Sequence, residues 1–181
     1  MQDKILLGFL MDGPKTGYQV RALMEKSTSF FFNTSYGSIY PAFQKLESGG
    51  FVRVEERVES GKLKKIYSLT PAGEELFREW LGQGISLSRV RDEALLKIFF
   101  YDFLPQQERR RRIGDYIRDL EGQVEELKAL QVNLQSLPVD FCKMATLRFG
   151  IDYYSFVREW LVRFLEEQQP DPNKKIKGGR K

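Results

Sequence analysis

Apolar residues in the first half of the chain recur at helical spacing, then at period two, then at helical spacing again. Residues 4–11, KILLGFLM, are apolar on most sides and predict a buried first helix, ended by the Asp-Gly-Pro break at 12–14. Thr16 then caps a second helix whose stripe is Tyr18, Ala22 and Leu23, widened by Val20 and Met24. Residues 27–34 interrupt the period with turn formers around three phenylalanines. In the stretch 33–48, NTSYGSIYPAFQKLES, a rotation of about 100° per residue puts Ile39, Ala42, Phe43 and Leu46 on one arc, the core face of a third helix. The opposite arc holds Gly37, Tyr40, Pro41, Gln44 and Lys45. Pro41 cannot sit in a helix interior, so the helix proper begins near Ser38 or opens with an irregular turn, with Ser35 or Ser38 as its cap. After Gly49-Gly50, FVRVEERV at 51–58 and KKIYSL at 64–69 alternate with period two across a short glycine-containing turn, which predicts a β-hairpin. Thr70-Pro71 starts a fourth helix faced by Leu76, Phe77, Trp80 and Leu81.

The second half is helical throughout. Residues 89–104 predict one helix rich in aromatics: Phe99, Phe100, Tyr101 and Phe103. Pro105 opens a long helix in which Ile113, Ile117, Leu120, Val124, Leu127 and Leu134 follow a four-three spacing, interrupted at Gln131. A seam of that length asks for a helical partner, either a second copy of the chain or residues 139–165 of the same one; we expect a dimer interface. After Leu137-Pro138, a last helix over 139–166 repeats Phe141, Met144, Ala145, Phe149, Tyr153, Phe156, Trp160 and Phe164 at three- and four-residue steps, a pattern expected first of a core.

The expected fold is therefore mainly α with a small β-hairpin. A winged helix-turn-helix spans 1–82, a helical dimerisation and candidate effector domain spans 83–167, and a basic tail at 168–181 is too polar to pack. No apolar run reaches the length of a membrane span, and the N-terminus carries no signal-like segment, so a cytoplasmic protein is expected. The chain has no histidine and a single cysteine, Cys142, which removes serine-triad, Cys-His and zincin chemistry. Adjacent acids such as Asp92 and Glu93 point to different faces of a helix, so no catalysis, cofactor or metal is expected.

The net charge of +4 is unevenly placed. Residues 1–70 carry 10 lysines and arginines against 7 acids, residues 71–173 carry 14 against 18, and residues 174–181 carry 5 against none. A nucleic-acid contact must therefore come from the first part or the tail. The outer arc of the third helix has an aromatic, an amide, one cation and small residues, a composition that suits a groove. Lys62, Lys64 and Lys65 lie at the hairpin tip and on its return strand, with Arg53 and Arg57 on the outgoing one. By themselves those cations fit either phosphate contact or protection of an edge strand. The run Arg109 to Arg112 fits either contact with DNA or a nucleotide or a solvated face among Glu108, Asp115 and Asp119, and the solvated face is expected.

Residues 1–81 resemble the PadR family of bacterial transcriptional regulators through GFLMDGPKTGYQV, SYGSIYPAFQKLESGGFV and GKLKKIYSLTPAG. The resemblance implies a homodimer that binds double-stranded operator DNA, usually as a repressor. It places the contacts at Ser35, Tyr36, Gly37, Ser38, Tyr40 and Lys45, with Gln44 on the same arc, and at Lys62, Lys64 and Lys65 on the wing. Leu63 departs from the proline that members often have there. Longer members are similar to this chain in having a virulence-activator type helical C-terminal domain, and some respond to phenolic compounds. A small aromatic effector is then expected to meet Tyr101, Tyr153, Tyr154 and Trp160. The alternative is a winged-helix protein-interaction or scaffold module without sequence-specific DNA binding.

Overall fold

The computed structural model of the chain describes residues 1–32, 36–59, 62–87 and 92–167. Ser35, the hairpin tip at 60–61, the residues at 88–91 and the tail at 168–181 lie outside the described residues. The chain divides into two units, Met1–Ser88 and Arg89–Lys181.

In the first unit, α1 (Gln2–Leu10) buries Leu6, Leu7 and Leu10 on one helix face. A two-residue strand, β1 (Lys15–Thr16), precedes α2 (Gly17–Ser27). Thr16 starts α2 through a reciprocal cap: its hydroxyl accepts from the Gln19 amide, while its own amide donates to Gln19 Oε1 at 2.8 Å. The cap fixes the phase of α2, and Gly17, Val20 and Met24 turn inward. The expected stripe is corrected accordingly, for Tyr18 is 75% exposed and Leu23 also faces outward.

A 3-10 turn, Tyr36–Ser38, leads into α3 (Ile39–Ser48). Pro41 falls within the first helical turn, where its missing amide has no intrahelical acceptor to lose. Ser38 holds the cap position without capping; its hydroxyl donates instead to Gln2 Oε1 on α1 at 2.6 Å. Ile39, Ala42, Phe43 and Leu46 are all buried, as their periodicity predicts. Gly50 ends the helix at φ 73, a conformation that favours glycine. Thr70 ties this turn to the next helix, donating its hydroxyl to the Gly50 carbonyl at 2.7 Å and accepting from the Gly73 amide at 3.1 Å. Between them, β2 (Val52–Glu59) and β3 (Lys62–Leu69) pair antiparallel, and the sheet order is β1-β3-β2. The register sets Val54 opposite Tyr67 on the core side and Arg57 opposite Lys64 on the other. α4 (Pro71–Leu81) packs Leu76 and Phe77 onto the core, whereas Leu81, expected on that face, lies in the last turn and is exposed.

In the second unit, Asp92 accepts from the Ala94 and Leu95 amides and starts α5 (Glu93–Phe99), which a 3-10 turn, Tyr101–Phe103, follows. The helix expected over 89–104 is thus shorter at both ends among the described residues. α6 (Gln106–Leu134) and α7 (Phe141–Glu167) pack along each other. Ile113, Leu120, Val124 and Leu127 are buried, with Ile117 and Leu134 partly buried. The α6 seam expected to meet a second chain therefore closes within its own chain. The reason is a matching seam on α7, where Leu147, Gly150, Tyr154, Val157 and Leu161 follow a three-four spacing toward α6. Phe141, Phe149 and Phe156 belong to the other stripe and are exposed, not core as expected.

Tyr67 lies flat on Phe43, with ring centroids 3.9 Å apart and planes at 12°. Burial pushes the Tyr67 phenol above the ordinary tyrosine range, and the charges of Glu47 and Tyr40 add to the shift. The folded first unit therefore holds this proton more tightly than the unfolded chain. That contribution is complete below the ordinary tyrosine pKa of 10.0 and is lost as pH rises beyond it. Urea unfolding followed by Trp80 fluorescence in a Trp160→Phe background should show a midpoint that falls above that pH. Tyr67→Phe should remove this part of the fall, and an unchanged alkaline decline in the variant would assign it elsewhere.

Candidate nucleic-acid interface

The capped start of α2, the first turn of α3 and the hairpin meet around one concave cleft of about 820 Å³. Gly17 and Tyr18 line it from α2, Tyr40 from α3, and Arg57, Lys64 and Lys65 from the hairpin. Tyr40 is 57% exposed, and its ring leans on Gly17: a Cβ at that position would come within 2.9 Å of the ring. The sheet register explains why the cations reach the same place. β1 pairs with β3 at Ile66 and Tyr67, so the residues before α2 and the return strand of the wing are neighbours.

Three of the expected contact residues, Tyr40, Lys64 and Lys65, thus converge on the cleft. Gly37 is exposed in the 3-10 turn that also contains Tyr36, and Gln44 is exposed on α3. Ser38 is engaged with Gln2, the Lys62 backbone lies opposite Glu59 in the hairpin register, and Ser35 lies outside the described residues. Lys45 is exposed, yet its Nζ lies 3.1 Å from Asp3 Oδ2 on α1. Two further cleft residues lie outside what periodicity shows: Tyr18, which helical spacing places with the core, and Gly17. The signal for both is that they follow the Thr16 cap directly, where side chains of a first turn surround open amides.

Acidic neighbours shape the electrostatics of this surface. Arg57 donates through Nε and Nη2 to the two Glu55 oxygens at 2.9 and 3.0 Å, and this hydrogen bond holds the Glu55 carboxyl below its usual range. Lys65 Nζ lies 3.5 Å from Glu56. The cleft therefore presents exchangeable cations on one wall and an aromatic ring with small residues on the other. Such a surface can take a sugar-phosphate rail while the adjoining helix face meets base edges.

The second unit has its own cleft of about 850 Å³, lined by Asp92, Ile98, Tyr101, Tyr116, Asp119 and Leu161 among others. Of the residues expected around an aromatic effector only Tyr101 lines it. Tyr154 and Trp160 pack in the α6–α7 core, and Tyr153 stacks on Phe149 on the exposed side of α7. Helical spacing put these aromatics on one element but could not say which side it buries. Tyr116 takes their place at the cleft, its phenol pushed up by burial and then by the Asp92 charge. The arginine run is paired, as expected of a solvated face: Arg111 and Arg112 bind Glu108, and Arg109 binds Asp102. Arg110 donates to the Leu165 carbonyl at 3.0 Å, which pins α6 to α7.

Residues 6–79 match the transcriptional regulator PadR-like family, and residues 90–168 match the virulence activator alpha C-term family. The chain is similar to the negative transcriptional regulator PadR of Bacillus subtilis, with 27% identity over 169 residues that cover 88% of this chain and 93% of that protein. It is also similar in structure to the PadR-like regulator BC1756 of Bacillus cereus, at a TM-score of 0.82 and 26% identity over 92% of this chain and 97% of the other. Bacillus subtilis PadR in complex with operator DNA shares the fold at a TM-score of 0.83 and 24% identity, covering 91% of this chain and 96% of the other. The same protein in complex with p-coumaric acid does so at 0.76 and 23%, covering 91% and 96%.

Because the Tyr40 ring is the flexible partner at its contact with Gly17, Gly17→Ala should displace the ring rather than unfold α2. Aromatic NMR is expected to show shifted Tyr40 resonances with an unchanged melting midpoint. Unmoved resonances would show that the ring does not rest there.

Proposed function

Since the chain joins a PadR-like domain to a virulence activator alpha C-terminal domain, it belongs to the PadR-like transcriptional regulators in their long form, and from that membership we propose that it represses its target genes by binding operator DNA as a homodimer. The observation that carries this reading is the convergence of Tyr40, Lys64 and Lys65 on one open cleft beside the exposed face of α3. In a groove, Gly37 permits close approach, while Tyr40 and Gln44 offer a ring and an amide to base edges. Lys64 and Lys65, with Lys62 and Arg57 on the same hairpin, follow the backbone and supply the sequence-independent part of the affinity. The protein acts without catalysis, in the cytoplasm, where its DNA is. A scaffold role without base reading has no observation in its favour.

A reader of this type needs two copies about one helical turn of DNA apart. With the α6 seam closed inside the chain, the apolar surface that best suits a second copy is the outer stripe of α7, although Phe99, Phe100 and Phe103 on α5 and the turn after it are exposed as well. Phe149 is 61% and Phe156 60% exposed there, beside Phe141 and Tyr153. Contiguous aromatic exposure of this kind marks an association surface. Relief of repression belongs to the second unit, where a small aromatic ligand of the kind seen with Bacillus subtilis PadR would meet Tyr101 and Tyr116 and shift the dimer between states of different operator affinity.

Fluorescence anisotropy over a salt series separates the two kinds of DNA contact. Lys64→Ala combined with Lys65→Ala should weaken operator and random duplex alike and lower the log–log salt slope by about 0.9 per lost phosphate contact. Tyr40→Ala should cut the preference for operator by roughly tenfold, the size of one lost base contact. Equal losses from Tyr40→Ala on every sequence would remove it from base reading.

The assembly is tested independently of DNA. Phe149→Glu with Phe156→Glu should sediment as a monomer, keep its helical circular dichroism and lose tight operator binding. A doubly substituted protein that stays dimeric would place the interface on another face.

A further inference from the structure

We propose that Asp3, Glu55 and Glu56 form an electrostatic brake on DNA binding: each carboxylate occupies a cation of the interface and competes with DNA phosphate for it. The proposal rests on the operator-binding reading above and adds to it a set of residues that fix how strongly the domain holds DNA of any sequence.

The pattern repeats on two separate parts of the domain. Asp3 on α1 reaches Lys45 on α3 at 3.1 Å, across 42 residues of sequence. On the hairpin, Glu55 grips Arg57 with both oxygens at 2.9 and 3.0 Å, and Glu56 lies 3.5 Å from Lys65. Among the described residues of 1–70, these three ion pairs all place an acid on a cation of α3 or the wing, while a fourth, Arg21 with Glu25, lies on α2.

These pairs are poorly suited to holding the fold. The contact between α1 and α3 is already made by Leu6, Leu7, Leu10, Ile39 and Phe43, all buried in one core. The Lys45 side chain is 76% exposed, and an exposed pair adds little to such packing. The same exposure makes the pairs easy to exchange, so a phosphate can displace each carboxylate at the expense of the ion pair. The affinity gained from each cation is reduced by what its own chain already gives it. The first turn of α1 does this twice, because Gln2, next to Asp3, also occupies the Ser38 hydroxyl at the start of α3.

The competition has a signature that a plain change of net charge lacks. Removing Asp3 should help a complex only through Lys45, and it should help most where Lys45 is held firmly on a phosphate. Operator affinity should therefore gain at least as much as random affinity, leaving sequence preference intact or sharper.

The test is anisotropy with operator and random duplexes between about 50 and 200 mM salt. Asp3→Asn should tighten both roughly two- to fivefold at the low-salt end, the scale of one exposed ion pair. The gain should vanish in a Lys45→Gln background, and Glu55→Gln should behave likewise against Arg57→Gln. Thermal melts guard against a structural origin, which would appear as a lowered midpoint with weakened binding. A gain that persists without Lys45, or unchanged affinities in proteins that still bind DNA, would overturn the brake alone. Failure of every form to bind duplex DNA would overturn the operator reading itself.

Discussion

Phe43 is wholly buried on α3, and its ring lies flat against Tyr67 of β3. The contact joins α3 to the return strand of the wing, the two elements that any DNA-facing arrangement must hold in fixed relation. Aromatic pairs add about 0.5–1.5 kcal/mol beyond the area they bury. With the phase of α3 fixed, Ile39, Ala42 and Leu46 must point inward, and Tyr40 and Gln44 outward. The same strand that supplies Tyr67 carries Lys64 three residues earlier, hence on the opposite face of the sheet. The stack thus lies between the outward arc of α3 and the cations of the hairpin beside it.

How far the sequence discloses this depends on whether a pattern has one partner or several. The α3 arc was legible because only one of its faces is apolar, and the Thr16 and Thr70 caps were legible because capping is a matter of a few neighbouring residues. The α7 helix was not, for it carries two apolar stripes at helical spacing, one aliphatic and one aromatic. The larger side chains of Phe149 and Phe156 drew the core assignment, yet burial followed the stripe whose spacing matches α6. A seven-residue repeat states that a helix needs a partner and not which chain supplies it, so the α6 seam was open to both readings. In the same way, the Tyr18 ring was placed inward by period alone, although the reciprocal cap between Thr16 and Gln19 had already fixed the helix phase against it.

Charge was the least legible property, since pairs such as Lys45 with Asp3 join residues far apart in sequence. Counting residues gives the first part of the chain a small positive excess, but placement matters more than the count. On the hairpin the acids lie on the outgoing strand, so Arg57 and Lys65 already have carboxylates beside them. The run from Arg109 to Arg112 makes the complementary point: four adjacent cations are spent on Asp102, Glu108 and a backbone carbonyl of α7. A cluster of like charge in sequence is thus compatible with no free basic surface at all, whereas Lys64 and Lys65 with Arg57 from the opposite strand line one cleft.

The two long helices show why association should use α7 rather than α6. Each spends one face on the other. What remains of α6 is polar, with Glu108 holding Arg111 and Arg112, Asp115 with Arg118, and Glu125 near Lys128 along its own surface. Pairs of this kind are stable in water and costly to strip of it. What remains of α7 sets Phe141, Phe149, Tyr153 and Phe156 among exposed charges such as Lys143, Arg148 and Asp152, and for those rings water is the unfavourable surrounding. At about 25 cal/mol per Å² of apolar area, covering such rings favours burial by a few kcal/mol, while covering the α6 face would first require its ion pairs to be dehydrated. For the dimer proposed above, the asymmetry between the two outward faces, and not the length of either seam, favours α7 over α6 as the meeting surface.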